Sequence, residues 1–353
     1  MSLRPTHAGQ NVLRSAVLTC LLLLIAGCAN TQRTVEDLPG EGRRWDHTGY
    51  DKARLSVVAI VVENTTGDAF GAGIVYDNEG HIITAHHVVE DANRVLLILS
   101  GGYTVRAEVV GADPVFDFAL LKAEAILGDR MQPAVMAGTD PKPGEPVWNL
   151  GNPFGTSRFG GEPSVGHGVV SAVHRTYLND ATGRLYLDGI QHDAATNPGN
   201  SGGGIFNDRG ELLGMNALIT TTRETPADSG VAFAVPAYLL KRQAETILRG
   251  ERPTHGWFGA DSYKQATEIY QGGYGRLRAV FGTVSPVGPA NVAGIQPGDV
   301  IIRIDAKEVF GIHEVLTAED AYVPGQEVKL TINRAGREFD ISILTGQRPW
   351  EFE

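Results

Sequence analysis

Cysteine is almost absent from this 353-residue chain; the two present, Cys20 and Cys28, both lie near its start. The body of the protein therefore has no disulfide framework, thiol nucleophile or Cys-based zinc site. Lys and Arg never cluster in more than a pair, and the formal net charge is −11. That excludes the basic patches on which nucleic-acid binding rests. Long hydrophobic runs are missing too. The longest largely apolar stretch, Ala16 to Gly27, has 12 residues, whereas a membrane-spanning helix needs about 20. Aromatic residues make up only 7%, while glycine reaches 44 residues and hydrophobic residues 42%. Such a composition can bury a sizeable core and suits many short strands joined by tight turns. The length allows roughly two domains of about 150 residues each.

The N-terminus reads as a targeting segment rather than structure. Arg4 and Arg14 supply positive charge, and the apolar run ends in Ile25-Ala26-Gly27-Cys28. Small residues before a Cys resemble a bacterial lipobox, in which the Cys is acylated and becomes the mature N-terminus. Residues 1–27 are thus expected to be a lipoprotein signal peptide, with Cys28 lipidated. Residues 28–50 are polar and read as a tether.

From Ser56 onward the chain shows short β-type runs punctuated by Gly, Asn and Asp, among them His81-Ala85, Arg94-Leu99, Phe118-Leu121 and Leu185-Gln191. Repeated strands without intervening helical patterns predict a barrel or sandwich over residues 51–250. The spacing of Leu240, Ala244, Ile247 and Leu248 predicts a helix over Ala237–Arg249, opened by Pro236 and stopped by Gly250. Glu251 to His255 is polar and reads as a domain boundary. Residues 255–347 form a second, mixed α/β domain, with helices expected at Pro289-Ala293 and Ile312-Ala321.

Three segments offer the parts of a serine acyl-transfer site, which needs a nucleophile, a base, a group fixing the base's tautomer and oxyanion donors. Ser201 stands in Gly199-Asn200-Ser201-Gly202-Gly203. Glycines on both sides allow positive φ, and the amides of Gly199, Asn200 and Ser201 supply candidate oxyanion-hole donors. The same segment also suits a glycine-rich turn. The base is His87 or its neighbour His86, at the end of the run Ile82-Ile83-Thr84-Ala85. A zinc cluster of His81, His86 and His87 is the competing use of these histidines, but no further ligand stands at familiar spacing. Asp117, opening an apolar run, is the candidate orienting acid; Asp113, before Pro114, reads as a solvated turn residue. The order His, Asp, Ser in an all-β context is that of the chymotrypsin class.

Thr84-Ala85-His86-His87-Val88-Val89, Asp117-Phe118-Ala119-Leu120-Leu121, Leu150-Gly151-Asn152-Pro153-Phe154-Gly155 and Gly199-Asn200-Ser201-Gly202-Gly203 together resemble the HtrA/Deg family of envelope serine proteases. The resemblance implies a chymotrypsin-like double β-barrel with its site between the barrels, and it selects His87 over His86. It implies a triad of His87, Asp117 and Ser201, without cofactor or metal. Ala195, Thr196, Asn216, Ala217 and Leu218 would border an uncharged specificity pocket. His192 stands where the family usually has Thr. The implied substrates are misfolded or regulatory envelope proteins, and a homotrimer is the family default. A binder or holdase that keeps the fold without proteolysis is the alternative.

The second domain resembles a PDZ module, on Pro289-Ala290-Asn291-Val292-Ala293-Gly294 and Gln296-Pro297-Gly298-Asp299-Val300-Ile301. Trp257-Phe258-Gly259-Ala260 would be its carboxylate-binding loop, receiving peptide C-termini. Trp257 and Phe258 equally suit core packing, and Ala260 is smaller than the aliphatic usual there. Gly272-Gly273-Tyr274-Gly275 suggests a flexible insertion. The resemblance and the lipobox together imply a cell-envelope protein held to a membrane through Cys28, on the periplasmic face of the outer membrane if the source is Gram-negative.

Overall fold

The computed structural model describes residues 48–64, 67–178, 184–219, 230–269, 273 and 275–349. The segment read as a signal peptide, Cys28 and nearly all of the segment read as a tether lie outside the described residues, as do Gly272 and Tyr274. A short helix, Thr48–Ala53, begins inside the stretch read as tether.

The first barrel is built from β1 (Val57–Asn64), β2 (Gly67–Val75), β3 (His81–Ala85), β4 (Arg94–Ile98), β5 (Thr104–Asp113) and β6 (Phe118–Ala123). They close in the order β1-β2-β3-β6-β5-β4. Ile60, Ile82, Leu97 and Leu121 share one face of the closed sheet and Ile74 and Leu120 the other, and all six are completely buried. These are β-branched and leucine side chains that suit a pleated, half-buried surface.

The second barrel uses β7 (Val135–Met136), β8 (Pro146–Gly151), β9 (Ser164–Leu178), β10 (Leu185–His192), β11 (Gly204–Phe206), β12 (Glu211–Ile219) and β13 (Ala232–Pro236). Because β11 pairs with both β8 and β12, six strands form a closed ring, with β7 added in parallel on β12. Val147, Val170, Ile190, Ile205 and Leu213 form its core. The helix that follows, Ala237–Leu248, ends one residue before the predicted Arg249. Its buried Leu240, Ala244 and Ile247 join the main apolar core.

The second domain opens with β14 (Gly256–Trp257), β15 (Ala260–Ile269) and β16 (Gly275–Val284). It continues through β17 (Val300–Ile304), β18 (Lys307–Glu308), β19 (Glu327–Arg334), β20 (Arg337–Leu344) and β21 (Gly346–Gln347). The sheet order is β15-β16-β17-β19-β20, which leaves β15 at an edge, while β14 pairs with β21. Gly275 opens β16, which pairs antiparallel with β15. The helix Ile312–Ala321 has the predicted bounds, and Pro289–Val292 ends one residue before the predicted Ala293.

The boundary at Glu251 to His255 is not a solvated linker at its end. His255 is fully buried. Its Nε2 lies 2.8 Å from Asp113 Oδ2 and its Nδ1 lies 2.7 Å from Asp320 Oδ1. Arg242 adds a contact of 2.9 Å to Asp320. Burial opposes charge on this imidazole, but Asp113 and then Asp320 overcome it and raise its pKa to about 9. Asp113 is therefore no solvated turn residue. It is wholly buried, and its other oxygen accepts the amides of Val115 and Phe116.

Candidate active site

Strand register brings the first two groups together. Ala85 and Phe118 pair at the ends of β3 and β6, so the segment leaving one strand lies beside the segment entering the other. The His86 amide donates to the Asp117 carbonyl at 3.0 Å. One residue on, the His87 amide donates to Asp117 Oδ1 at 2.9 Å, and His87 Nδ1 lies 2.7 Å from Oδ2. An ionised carboxylate only accepts, so Nδ1 carries the proton and Nε2 keeps its lone pair. Asp117 has φ of 53°, a left-handed conformation that Asp tolerates better than most residues.

Asp117 is completely buried, and such a carboxylate must be paired. Burial pushes its carboxyl up. The hydrogen bond and charge of His87, followed by the charge of Arg184, outweigh burial and hold it below the usual carboxylate range. The Tyr186 hydroxyl donates to Oδ2 at 3.0 Å, and Arg184 Nε lies 3.6 Å from Oδ1. Tyr186 is the second residue of β10 and Arg184 immediately precedes the strand, where the Leu185 amide donates to the Val115 carbonyl at 2.6 Å. These two neighbours carry no sequence signal, since they reach Asp117 only through the fold. His86 turns elsewhere: its Nδ1 lies 3.5 Å from Glu90, and burial lowers its pKa. His81 bonds Asp77 at 2.6 Å. The three histidines of the zinc reading thus have three different carboxylate partners.

The third group comes from the second barrel. The Ser201 carbonyl accepts the Ala72 amide of β2 at 2.9 Å, which docks the serine loop against the first barrel. Gly202 has φ of 81°, and a Cβ there would collide with Ala72 O and Thr84 Oγ1. Gly199 has φ of 99°, and a Cβ there would strike Asn152 O. The segment Asn152-Pro153-Phe154 braces the loop from behind. Its Asn152 and Phe154 amides donate to Gly199 O and Pro198 O at 3.3 and 2.8 Å. The Asn152 side chain meanwhile reaches Gly71 O at 3.1 Å.

The amide of Asn200 donates to Asn197 O at 3.0 Å, so it is committed to the turn and not available to an oxyanion. Among the described residues, no acceptor takes the amides of Gly199 and Ser201. Beneath the loop runs a buried polar chain. His192 Nε2 lies 3.1 Å from Asn216 Oδ1. Asn216 Nδ2 donates to Asn149 Oδ1 at 2.8 Å, and Asn149 Nδ2 donates to Thr196 Oγ1 at 2.9 Å. Gly202 donates its amide to Asn216 O at 2.8 Å. Thr196 and Asn216 are thus tied inward, Ala217 is buried and Ala195 is exposed. Leu218 lies in β12, and its side chain falls outside the described residues.

In the second domain, the buried side chains of Trp257 and Phe258 pack into the interior as core residues do. Their backbone nonetheless forms a distinct loop. Gly259 has φ of 100°, its carbonyl accepts the Ser285 amide at 2.9 Å, and Trp257 Nε1 donates to Ala260 O at 2.9 Å. Among the described residues, no helix is long and apolar enough to cross a membrane.

Comparison with known proteins gives two family matches, a trypsin-like peptidase domain over residues 71–215 and a PDZ domain over residues 264–345. The serine endoprotease DegS of Escherichia coli K12 is 33% identical over 284 residues, covering 79% of this chain and 77% of that protein. A probable periplasmic DegP-like serine endoprotease of Halomonas elongata is 32% identical over 285 residues. The match covers 80% of this chain but spans only 57% of that relative's length. Among solved structures, an HtrA-type protease, AlgW, with a tripeptide superposes with a TM-score of 0.70 at 27% identity, covering 86% of this chain and 97% of that one. The serine endoprotease of Yersinia pestis gives a TM-score of 0.66 at 26% identity, covering 89% and 100%. With one trypsin-like domain, one PDZ domain and 33% identity to DegS over 284 residues, the chain belongs to the HtrA/Deg family of serine endoproteases.

Proposed function

We propose that this chain hydrolyses peptide bonds through Ser201, His87 and Asp117. The observation that carries the reading is the contact of 2.7 Å between His87 Nδ1 and the buried Asp117 carboxylate, which fixes the tautomer a base needs. Ser201 Oγ attacks the scissile carbonyl while His87 Nε2 takes its proton. The amides of Gly199 and Ser201 receive the oxyanion, each worth about 10²–10³ in rate. His87 then returns the proton to the leaving amine, and water hydrolyses the acyl-enzyme by the same steps. Tyr186 and Arg184 position Asp117. No charged side chain stands among Ala195, Thr196, Asn216 and Ala217, so small or medium apolar side chains are the preferred residues before the cut.

The substrates in this reading are misfolded or regulatory proteins of the cell envelope, and the PDZ domain binds peptide C-termini at the loop Trp257–Ala260. Acylation at Cys28 holds the enzyme at a membrane. A fluorophosphonate probe tests the chemistry: it labels the wild-type chain, and labelling disappears in Ser201→Ala. Labelling that survives in Ser201→Ala would assign the nucleophile elsewhere. A correctly folded wild type without labelling or casein cleavage would favour the non-proteolytic binder.

A further inference from the structure

The loop Trp257–Ala260 already holds a carboxylate. Glu319, near the end of the helix Ile312–Ala321, is completely buried. Its Oε1 accepts the Phe258 amide at 2.7 Å and the Tyr263 hydroxyl at 2.7 Å. Its Oε2 accepts Arg348 Nη2 at 2.6 Å. The helix flanks β15: the Ile312 amide donates to the Gln265 side chain at 3.3 Å, and Tyr263 reaches Glu319 at the other end. Among the described strands β15 pairs with β16 alone. A peptide that added a strand there would run between β15 and the helix, with its terminus directed at the loop. What it would offer the Phe258 amide is a carboxylate, the group that Glu319 supplies from within the chain.

We propose that Glu319 is an internal stand-in for a ligand's C-terminal carboxylate, so that a peptide enters the Trp257–Ala260 loop only by displacing it. The inference rests on the reading of that loop as the receptor for a peptide terminus. The loop's apparent affinity is then its intrinsic affinity reduced by the fraction of molecules in which Glu319 has swung away. One charge-assisted hydrogen bond is enough to make that reduction roughly tenfold to hundredfold.

The test uses the full chain carrying Ser201→Ala, so that the probe is not cut. The probe is an equimolar pool of fluorescent decapeptides, randomised at the last four positions, in free-acid and amidated forms. Affinity is measured for Glu319, Glu319→Gln and Glu319→Ala, with thermal unfolding as the check on folding. Gln keeps an acceptor but loses the charge, and Ala removes both. Acid-pool affinity should therefore rise in the order Glu, Gln, Ala, by roughly tenfold or more at Ala, and the amide pool should not follow. If Ala fails to fold, the Gln comparison carries the test. Acid peptides preferred over amides, yet bound equally or more weakly by the variants, would keep the loop as a terminus reader and overturn the role of Glu319. Equal binding of acid and amide by all three would overturn both.

Discussion

His255 should make the stability of this protein fall as the solution turns alkaline. Its pKa stands at about 9 in the folded chain and near 6.5 when unfolded. A group whose folded pKa is raised contributes fully below the unfolded value and loses that contribution as pH rises through the folded one. Between pH 6.5 and 9 the folded chain keeps a proton that the unfolded chain releases. A difference of roughly two and a half units corresponds to about 3 kcal/mol. That is comparable to breaking a buried pair, at about 3–5 kcal/mol, because deprotonation leaves Asp113 and Asp320 facing a neutral ring. His86, whose pKa burial lowers, contributes on the acid side of 6.5 instead, so the alkaline window belongs to His255. The measurement is the urea midpoint at half-unit steps from pH 6 to 9.5, for wild type and His255→Gln. Wild type should decline across the upper window while the variant stays level at a lower value. Two curves running parallel from pH 6.5 to 9 would refute the charged clamp.

Three further outcomes are expected. Asp117→Asn should lower kcat by about 10⁴ with the fold retained, because His87 would adopt the wrong tautomer; a near wild-type rate of casein cleavage would remove Asp117 from the site. Tyr186→Phe deletes one hydrogen bond to that carboxylate and should cost about tenfold in kcat with KM unchanged. It should also move the acid limb of the pH–rate profile upward, whereas a purely structural tyrosine would alter stability alone. Cys28→Ser should abolish metabolic palmitate labelling and release the enzyme from membranes, with catalysis intact; an unlabelled wild type would make it a secreted protease without an anchor.

The sequence displays the site's main pieces because each sits in a short, unusual string. Gly199 to Gly203 announces a tight turn, and Asp117 opens a run too apolar to leave its carboxylate in water. What the sequence hides are contacts made only by folding. Asp113 looks like a turn residue because Pro114 follows it, yet its partner His255 is 142 positions away. Tyr186 lies in, and Arg184 just before, a strand whose pattern records only which face is buried. Strands β8, β11 and β12 are obscured by the glycines and asparagines of the motifs they carry. The segment Glu251–His255 is polar enough to read as solvent-facing, and only its place between two carboxylates explains why a histidine ends it.

The cramped turn around Ser201 has a consequence for anyone wishing to change what this enzyme cuts. Gly199 and Gly202 have no room for one more carbon atom, and their φ values exclude ordinary side chains. Random mutagenesis of the turn should therefore return dead clones rather than altered ones. On the proposed mechanism, diversity is better placed in the buried polar chain beneath the turn, His192, Asn149, Thr196 and Asn216. Those side chains bond one another, so they should be varied as a set: a library built one position at a time would leave a buried polar atom stranded at almost every step.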